Sequence, residues 1–394
     1  MATSGTNQFD VAVVGGGMIG SAAARHLAEA GLSVVVVTAP EPDETDLSST
    51  AGPFSSHADA ARITRVIDSD PIWAGLAAAS IARYEDLETR SGIRFHDPVG
   101  LVWAKLAETS TGAVDDAASR GADVRPVSPR WVLDNTGIAI PENSGQTCVF
   151  EGAPAGLVDP RRLVQAELTL AIRAGAAEVE GPATGLRQMH GSVRVSGPFG
   201  EVQANRVLLA SGMYGAELLD TELELIRWPR TIVRAEIDCP ANLPSLIVEQ
   251  VDRQHIDHIY WTPPVRYPDG RIMLKIGGTH ATAQPLQRVE QIAEWFQSGG
   301  SEDEAADLRA TIDGLLPGAT VHSWEAVPCV VTKTPTGYPH VGWIDDHVAV
   351  AVAGNGSAAK SCDEIGRLAS LLFTSHPSTE PNLDRFKPVI AAAS

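Results

Sequence analysis

The segment FDVAVVGGGMIGSAAARHLAEAGLSVVVVT, residues 9–38, decides the fold of this chain. It opens with a short β-branched run that is typical of a buried parallel strand. A glycine turn follows, and then an alanine- and leucine-rich stretch that favours helix and that Gly31 can end. A second run of valines closes the segment. Strand, turn, helix and strand within about thirty residues have the size of a βαβ unit.

The glycine turn predicts a dinucleotide site. Gly15, Gly17 and Gly20 form the pattern G-x-G-x-x-G between the strand and the helix, which is the context that this motif requires. The first glycine makes the tight turn, the second lets the backbone approach a pyrophosphate, and the third lets helix and strand pack closely. Free N–H groups at the start of the helix then face the phosphates. FAD and NAD share this motif, so it does not choose between them.

The residue that should bind the ribose departs from this pattern. The second strand of such a unit usually ends in an acidic residue that binds the ribose hydroxyls. Here the strand ends at Thr38, and the nearest acid is Glu41. We expect either Thr38 or Glu41 to make the ribose contact.

Further strands and helices lie along the rest of the chain. The run VAVAV, residues 348–352, is a strand that precedes a glycine turn and a last helix at residues 360–372. Helical patterns cover residues 72–90 and 157–174, and strand patterns cover residues 193–210 and 272–276. Nucleotide-binding patterns therefore stand at both ends of the chain.

This arrangement predicts an α/β fold with an α+β second domain. A Rossmann-type dinucleotide-binding domain is built from separated segments, and an antiparallel-sheet substrate domain is inserted between them. The expected limits are residues 1–85, 150–225 and 325–394 for the first domain and residues 86–149 and 226–324 for the second.

Composition and charge exclude several classes of function. The chain has 394 residues, 44% of them hydrophobic, and a formal net charge of -19. This length suits about two globular domains, and the negative charge argues against nucleic acid or an anionic membrane as partner. The segment MATSGTNQFD lacks the pattern of a signal peptide. No apolar run approaches the ~20 residues needed to cross a bilayer, so we expect a cytoplasmic protein.

The cysteines indicate neither a disulfide framework nor a metal site. They stand far apart in the chain, and no C-x-x-C pair occurs. Their positions are Cys148, Cys239, Cys329 and Cys362. A reducing compartment fits this pattern, and we expect no bound metal.

A second motif narrows the choice of cofactor. SSHADAARITR, residues 55–65, places His57, Arg62 and Arg65 in one loop and the start of the next element. By residue type alone this is either a solvated basic turn or part of a site. Together with GGGMIG, IMLKIGG, PCVVTKTP and GNGSAAKS, in this order and rough spacing, the chain resembles the monomeric sarcosine oxidase and N-methyltryptophan oxidase family of D-amino-acid-oxidase-like flavoproteins.

The resemblance implies FAD as cofactor, a small amine that carries a carboxylate as substrate, and oxygen as the electron acceptor. A monomer is also implied. It places Cys329 where the family attaches the flavin covalently, and Lys275 where a lysine activates oxygen. Arg65 and Lys360 match the two cations that bind the substrate carboxylate. The cofactor site would further include Ser56, His57, Arg62, Gly212, Gly354 and Gly356, and Tyr260 would line the substrate pocket.

Each of these residues also has an ordinary structural interpretation. Cys329 could equally be a buried, inert cysteine. Lys275 could be a surface lysine on an alternating strand, and Lys360 could be a solvated residue at a helix start. Arg62 and His57 suit a structural hydrogen-bonding pair, and Tyr260 an ordinary core tyrosine. The residues alone leave these alternatives open.

The chain also departs from the family pattern near the expected substrate. Val331 stands where an aromatic residue is usual, Thr336 where an aspartate commonly follows the proline, and Thr279 where a histidine is expected, with His280 beside it. The SSHADAAR loop is one residue longer than usual, which could displace His57. These changes preserve the flavin site and argue against sarcosine itself as substrate.

The substrate class therefore stays broad: N-methyl amino acids, cyclic imino acids or modified amino acids. The expected reaction is hydride transfer from the carbon beside the neutral amine to flavin N5, followed by reoxidation by oxygen, with imine and hydrogen peroxide as products. The alternatives are an FAD-dependent dehydrogenase that uses another acceptor, a nicotinamide-dependent dehydrogenase, and a flavin-binding protein whose active site has decayed.

Overall fold

The structure is a computed structural model that describes residues 8–40, 53–106, 110–141, 145–280, 283–374 and 383–391. Its helices are α1 (Met18–Glu29), α2 (Pro71–Ile81), α3 (Tyr84–Ser91), α4 (Ser110–Ser119), α5 (Pro129–Thr136), α6 (Pro160–Arg173), α7 (Glu290–Ser298), α8 (Glu302–Leu315) and α9 (Cys362–Leu371). A short 3-10 helix, Ala358–Lys360, leads into α9, and others cover Gly212–Tyr214 and Leu383–Phe386.

The strands follow the same chain order. They are β1 (Phe9–Val14), β2 (Val34–Thr38), β3 (Arg62–Thr64), β4 (His96–Asp97), β5 (Leu101–Leu106), β6 (Val124–Val127), β7 (Gln146–Glu151), β8 (Gly156–Val158), β9 (Ala177–Glu180), β10 (Gly185–Met189), β11 (Ser192–Gly197), β12 (Gly200–Leu209), β13 (Ile226–Asp238), β14 (Ser245–Glu249), β15 (Ile256–Arg266), β16 (Ile272–His280), β17 (Thr320–Lys333), β18 (His340–Trp343) and β19 (Val348–Val352).

The first large sheet has a parallel centre. Strand β1 lies between β12 and β2, β9 adds beyond β2, and β19 pairs in parallel with β12. The valines of β1 and β2 are almost fully buried, because helices and loops cover both faces of such a sheet. Helix α1 packs on this sheet beside α9 and α6. The predicted strand–turn–helix–strand unit is confirmed.

The second large sheet is mostly antiparallel, with the order β17-β13-β16-β15-β14-β5-β7-β6 and one parallel pair, β14 with β5. Helix α8 covers one face, where Leu308 and Ile312 join a core with Val233 and Leu274. The opposite face packs Trp103 and neighbouring side chains against helices of the first sheet. The α/β fold with a Rossmann-type domain and a second, antiparallel-sheet domain is confirmed.

Two details differ from the sequence prediction. The helical pattern at residues 72–90 is divided into α2 and α3, because the chain turns at residues 82–83, where Arg83 pairs with Asp363 and Glu364. Strand β17 lies entirely in the second sheet and so crosses the expected boundary at residue 325. The domain limits themselves stay a prediction. Helix α6 begins as expected, with Asp159 capping Pro160 onwards.

Candidate active site

A cavity of about 850 Å³ is lined by residues from both large sheets. Its wall contains the first glycine turn, the loop at residues 53–65, parts of β15 to β17, and the glycine turn after β19. Most residues expected from the sequence contribute to it: Gly15, Gly17, Thr38, Ser56, His57, Arg62, Arg65, Gly212, Tyr260, Cys329, Gly354, Gly356 and Lys360. The fold thus brings together residues that lie more than 300 positions apart in the chain.

The glycine turn has the backbone geometry that its motif predicts. Gly15 has φ +104°, and a Cβ there would lie 2.6 Å from the carbonyl oxygen of Ala210. A Cβ on Gly20 would lie 1.8 Å from the carbonyl oxygen of Gly15, so Gly20 holds α1 against the turn and is not part of the described cavity wall. Gly17 is the N-cap of α1. The unpaired N–H groups of the first helical turn suit a pyrophosphate there.

The end of β2 offers more than one residue for a ribose. Thr38 lines the cavity, whereas Glu41 lies outside the described residues. Two further acids, Glu178 and Glu180, line the same region from β9, and Glu180 is the register partner of Thr38. Sequence reasoning did not single out these acids, because β9 follows β2 only after an insertion of well over a hundred residues.

Unsatisfied polar atoms also indicate a large polar ligand. Ser55 Oγ and Thr332 Oγ1 are buried, belong to cavity residues, and have no hydrogen-bond partner among the described residues. Buried hydroxyls are rarely left without a partner. Together with the glycine turn, they fit the presence of FAD in this cavity.

The basic loop contains an acidic centre that sequence reasoning missed. Asp59 is buried and binds Arg62, Lys275 at 2.8 Å and Arg234 at 3.6 Å. Although burial raises it, the pKa of this carboxyl is held well below its usual value by Lys275, Arg62 and Arg234. Arg62 also donates to the carbonyl oxygen of Ser56 at 2.8 Å. The aspartate inside SSHADAARITR was the available signal.

Lys275 lies behind this part of the cavity wall. Its ammonium group donates to Asp59 and to the carbonyl oxygen of Ala61, and the side chain is 1% exposed. Burial and Arg62 lower the pKa of Lys275 to about 8, while Asp59 acts in the opposite direction. Lys275 is not among the described residues that line the cavity, whereas Arg62 is. Both cations bind Asp59, so the charge of Lys275 would act on a ligand from behind Arg62.

Arg65 and Lys360 meet at one side of the cavity and share a carboxylate, Asp68. Lys360 Nζ lies 2.6 Å and Arg65 Nη1 lies 3.1 Å from Asp68 Oδ2. Burial and Arg65 lower the pKa of Lys360 to about 8, and Asp68 raises it. The Arg65 guanidinium also stacks 4.8 Å from the ring centroid of Trp103. Asp68 follows Arg65 by three residues and was not singled out from the sequence.

Cys329 stands on β17 beside Arg230 of β13, and its thiol interacts electrostatically with Arg62 and Tyr260. Burial and the Cys329 sulfur raise the pKa of Tyr260, so its phenol stays protonated. Val331 Cγ1 lies 3.6 Å from where a Cβ of Gly356 would stand. Val331 therefore lies close to the glycine turn after β19.

Of the positions that depart from the family pattern, Val331 and Thr279 line the cavity, whereas Thr336 is not among the described residues that line it. Thr279 lines the cavity and is 3.3 Å from His258 Nδ1. Burial, together with the charges of Arg65, Arg230 and Lys333, lowers the pKa of His258 to about 4. Thr336 lies in a turn, where it hydrogen-bonds with Thr334 and Tyr338.

All four cysteines are free. Among the described residues, no helix is long and apolar enough to cross a membrane, and no three His, Cys, Asp or Glu side chains are grouped to hold a metal ion.

Comparison with known proteins gives consistent matches over nearly the whole chain. The monomeric sarcosine oxidase of Bacillus sp. (strain NS-129) is 25% identical over 392 residues, which is 94% of each chain. Among solved structures, NikD, an amino acid oxidase essential for nikkomycin biosynthesis, matches with a TM-score of 0.77 at 21% identity and covers 98% of this chain and 99% of its own. L-proline dehydrogenase from P. horikoshii matches with a TM-score of 0.75 at 16% identity, and the match covers 96% of this chain and 99% of the dehydrogenase chain.

The family assignment rests on a separate match. The model of the FAD dependent oxidoreductase family aligns with residues 10–372, from the first strand to the end of the last helix. These limits enclose the glycine turn, the basic loop, Cys329 and Lys360. The chain therefore belongs to the family of FAD dependent oxidoreductases.

Proposed function

We propose that this protein is an oxidase of a small secondary or cyclic amine that carries a carboxylate. The observation that carries this proposal is the convergence, on one cavity, of the glycine turn, Cys329 and the pair formed by Arg65 and Lys360. When bound, FAD supplies the acceptor for a hydride from the carbon beside the amine, and oxygen removes the electrons as hydrogen peroxide. Relatives named sarcosine oxidase support this reaction class.

The chain's own residues would bind and orient the substrate. Arg65 offers a planar fork that suits a carboxylate, and Lys360 adds a point charge. Asp68 binds both cations from behind and so fixes their positions. Holding the carboxylate fixes the adjacent C–H bond, and such positioning can be worth ~7–11 kcal/mol of the barrier. If the amine binds as its free base, no side chain has to remove a proton.

Cys329 is proposed to hold the flavin covalently through its sulfur. The thiol belongs to the same cavity as the glycine turn and interacts electrostatically with Arg62. The direct test is acid precipitation of the purified protein. Flavin should stay with the chain in the parent protein and pass to the supernatant in Cys329→Ala, whereas Cys239→Ala, on the other face of the second sheet, should behave like the parent. Flavin released from the parent protein would refute the covalent link.

Lys275 is proposed to assist oxygen. A cation near the ring stabilises the negative charge that oxygen acquires. After anaerobic reduction, Lys275→Met should slow reoxidation by air far more than it slows reduction by substrate. The control is Lys387→Met, because Lys387 is 73% exposed at the surface. Equal effects of Lys275→Met on both half-reactions would contradict this role.

One observation favours a second candidate, a dehydrogenase that passes electrons to a carrier. Lys275 is paired with Asp59, and the described wall does not include it, so its charge reaches the ring weakened. Reduced protein that air reoxidises rapidly, with stoichiometric peroxide, supports the oxidase. Slow reoxidation by air and rapid reoxidation by a quinone or dye supports the dehydrogenase.

The whole proposal is tested by a panel of N-alkyl and cyclic amino acids. Under anaerobic conditions at least one member should bleach the flavin absorbance, and its analogue without a carboxylate should not. Purified protein that binds no FAD, or a flavin that no carboxylate-bearing amine reduces, would refute the proposed function.

A further inference from the structure

The cavity carries a second pair of cations, Arg230 and Lys333, that the reaction described above does not use. Arg230 lies on β13 opposite Cys329, and Lys333 follows Cys329 by four residues on β17. Both side chains line the cavity. Arg230 is 8% exposed and Lys333 is half-buried. Alternate residues of a strand point to the same face, so Cys329, Val331 and Lys333 share one side of β17.

These two cations differ from the other cations of the cavity in their partners among the described residues. Arg65 and Lys360 share Asp68, and Arg62 and Lys275 share Asp59. Within the described ranges, neither Arg230 nor Lys333 forms an ion pair. Arg230 donates to the carbonyl oxygen of Pro229 at 3.0 Å and lies 5.7 Å from the ring centroid of Trp228.

Two acids of this region have hydrogen-bonding or ionic partners other than Arg230 and Lys333. Glu304 acts on Arg230 electrostatically, but its carboxylate accepts from Thr231 Oγ1 at 2.7 Å. Glu217, which also lines the cavity, is bound to Arg227 at 2.9 Å. Burial lowers the pKa of Arg230, although the charges of Tyr260, Cys329 and Glu304 raise it. Burial and the charge of Arg230 lower the pKa of Lys333, as expected for cations that have lost water.

His258 connects the two cationic pairs. It interacts electrostatically with Arg65 and also with Arg230 and Lys333. With its pKa lowered to about 4 it is neutral near pH 7 and adds no charge of its own. Its Nδ1 lies 3.3 Å from Thr279 Oγ1, so these two residues add uncharged polar groups to the cavity wall.

We propose that Arg230 and Lys333 bind a second anionic group of the substrate. Resting on the proposed function, this assigns the substrate to the dicarboxylate class: an amine whose first carboxylate lies on Arg65 and Lys360 and whose second lies at the other end of the molecule or on the nitrogen substituent. A buried guanidinium without a counterion is costly, and a ligand that supplies the charge removes this cost. A short monocarboxylate cannot reach both pairs at once.

The test measures the binding of amine-free acids to the holoprotein by isothermal titration calorimetry. The probes are succinate, glutarate and adipate, each compared with the monocarboxylate of equal carbon number: butyrate, valerate and hexanoate. At least one diacid should bind roughly tenfold or more tightly than its monoacid, as one added charge-assisted contact provides. Arg230→Met and Lys333→Met should each remove most of this preference and leave monoacid binding nearly unchanged.

Two control variants test whether the diacid preference depends on this site or only on the total charge of the protein. Arg130→Met and Lys387→Met remove exposed charges of the same type elsewhere, with side chains 69% and 73% exposed, and should keep the preference. Because Arg230 is buried, the uncharged and polar variants Arg230→Gln and Lys333→Gln provide a second pair if Arg230→Met unfolds. Diacids that bind no better than monoacids, or a preference that persists in the variants of Arg230 and Lys333, would overturn the proposal.

The outcome for this subsite is separable from that for the oxidase. If Arg230 instead stabilises the flavin itself, its replacement would change the flavin spectrum without ligand and weaken monoacids and diacids alike. A diacid preference that depends on Arg230 in a protein that oxidises no amine would keep the subsite and end the proposed function. Rapid flavin reduction by a carboxylate-bearing amine, in a protein that binds diacids no better than monoacids, would keep the proposed function and end the subsite.

Discussion

Replacing Asp68 by asparagine tests how the charge of Asp68 affects the binding of a carboxylate by Arg65 and Lys360. Asparagine keeps the shape and one acceptor oxygen but removes the charge that lies 2.6 Å from Lys360 and 3.1 Å from Arg65. A ligand carboxylate on the cavity side of these cations would lie roughly 6 Å from Asp68, where unit charges repel by about 3 kcal/mol at an effective dielectric of about 20. With solvent in the cavity we expect about half of this, which is roughly tenfold tighter binding.

At high pH, the same substitution should have the opposite effect on the affinity for a carboxylate. Lys360 binds a carboxylate while it is protonated, so the affinity of the parent protein should fall as pH rises through about 8. Asp68 raises the pKa of Lys360, and without it Lys360 loses its proton at lower pH. Asp68→Asn should therefore bind more tightly than the parent well below pH 8, and more weakly above it.

The assay is calorimetric titration of the holoprotein with a short carboxylic acid that lacks an amine, between about pH 6 and 9, a range that spans the titration of Lys360. Flavin content and the thermal midpoint control for damage, and Asp384→Asn, 88% exposed, is the matched surface variant. Weaker binding at every pH would show that Asp68 only positions the cations. Unchanged binding would show that the carboxylate lies elsewhere.

Two further predictions concern the scaffold. Gly20→Ala places a Cβ 1.8 Å from the carbonyl oxygen of Gly15, so we expect folded protein with little or no flavin. The control, Gly112→Ala, meets nothing within 4 Å and should retain its flavin. Normal flavin content in Gly20→Ala would contradict this account of the turn. Asp363→Asn breaks a buried ion network with Arg83 and with Arg25 of α1. It should lower the free energy of unfolding by about 3–5 kcal/mol in a denaturant titration. A change under ~1 kcal/mol would show that the network contributes little.

The sequence predicted well those parts of the molecule whose chemistry is local. The glycine turn could be predicted because strand, turn and helix follow one another directly, and its geometry agrees. Cys329, Arg65 and Lys360 were found through short motifs, and the fold brings all three to the cavity. Their chemical roles stay proposals.

The counter-charges and the second cationic pair could not be predicted in the same way. Asp59 and Asp68 lie within or just after the basic loop, but a carboxylate beside three arginines or lysines has a meaning only when distances are known. Arg230, His258 and Thr279 meet through strand register, which depends on how β13, β15, β16 and β17 align. A shift of one residue would turn each side chain to the other face.

The most direct test of the central claim is a crystal structure of the holoprotein with a short carboxylic acid bound. The account predicts the flavin pyrophosphate against Gly15 to Gly17, the ring beside Cys329, and the carboxylate of the ligand on Arg65 and Lys360. A carboxylate bound away from both cations, or FAD absent from this cavity in protein saturated with it, would contradict the account.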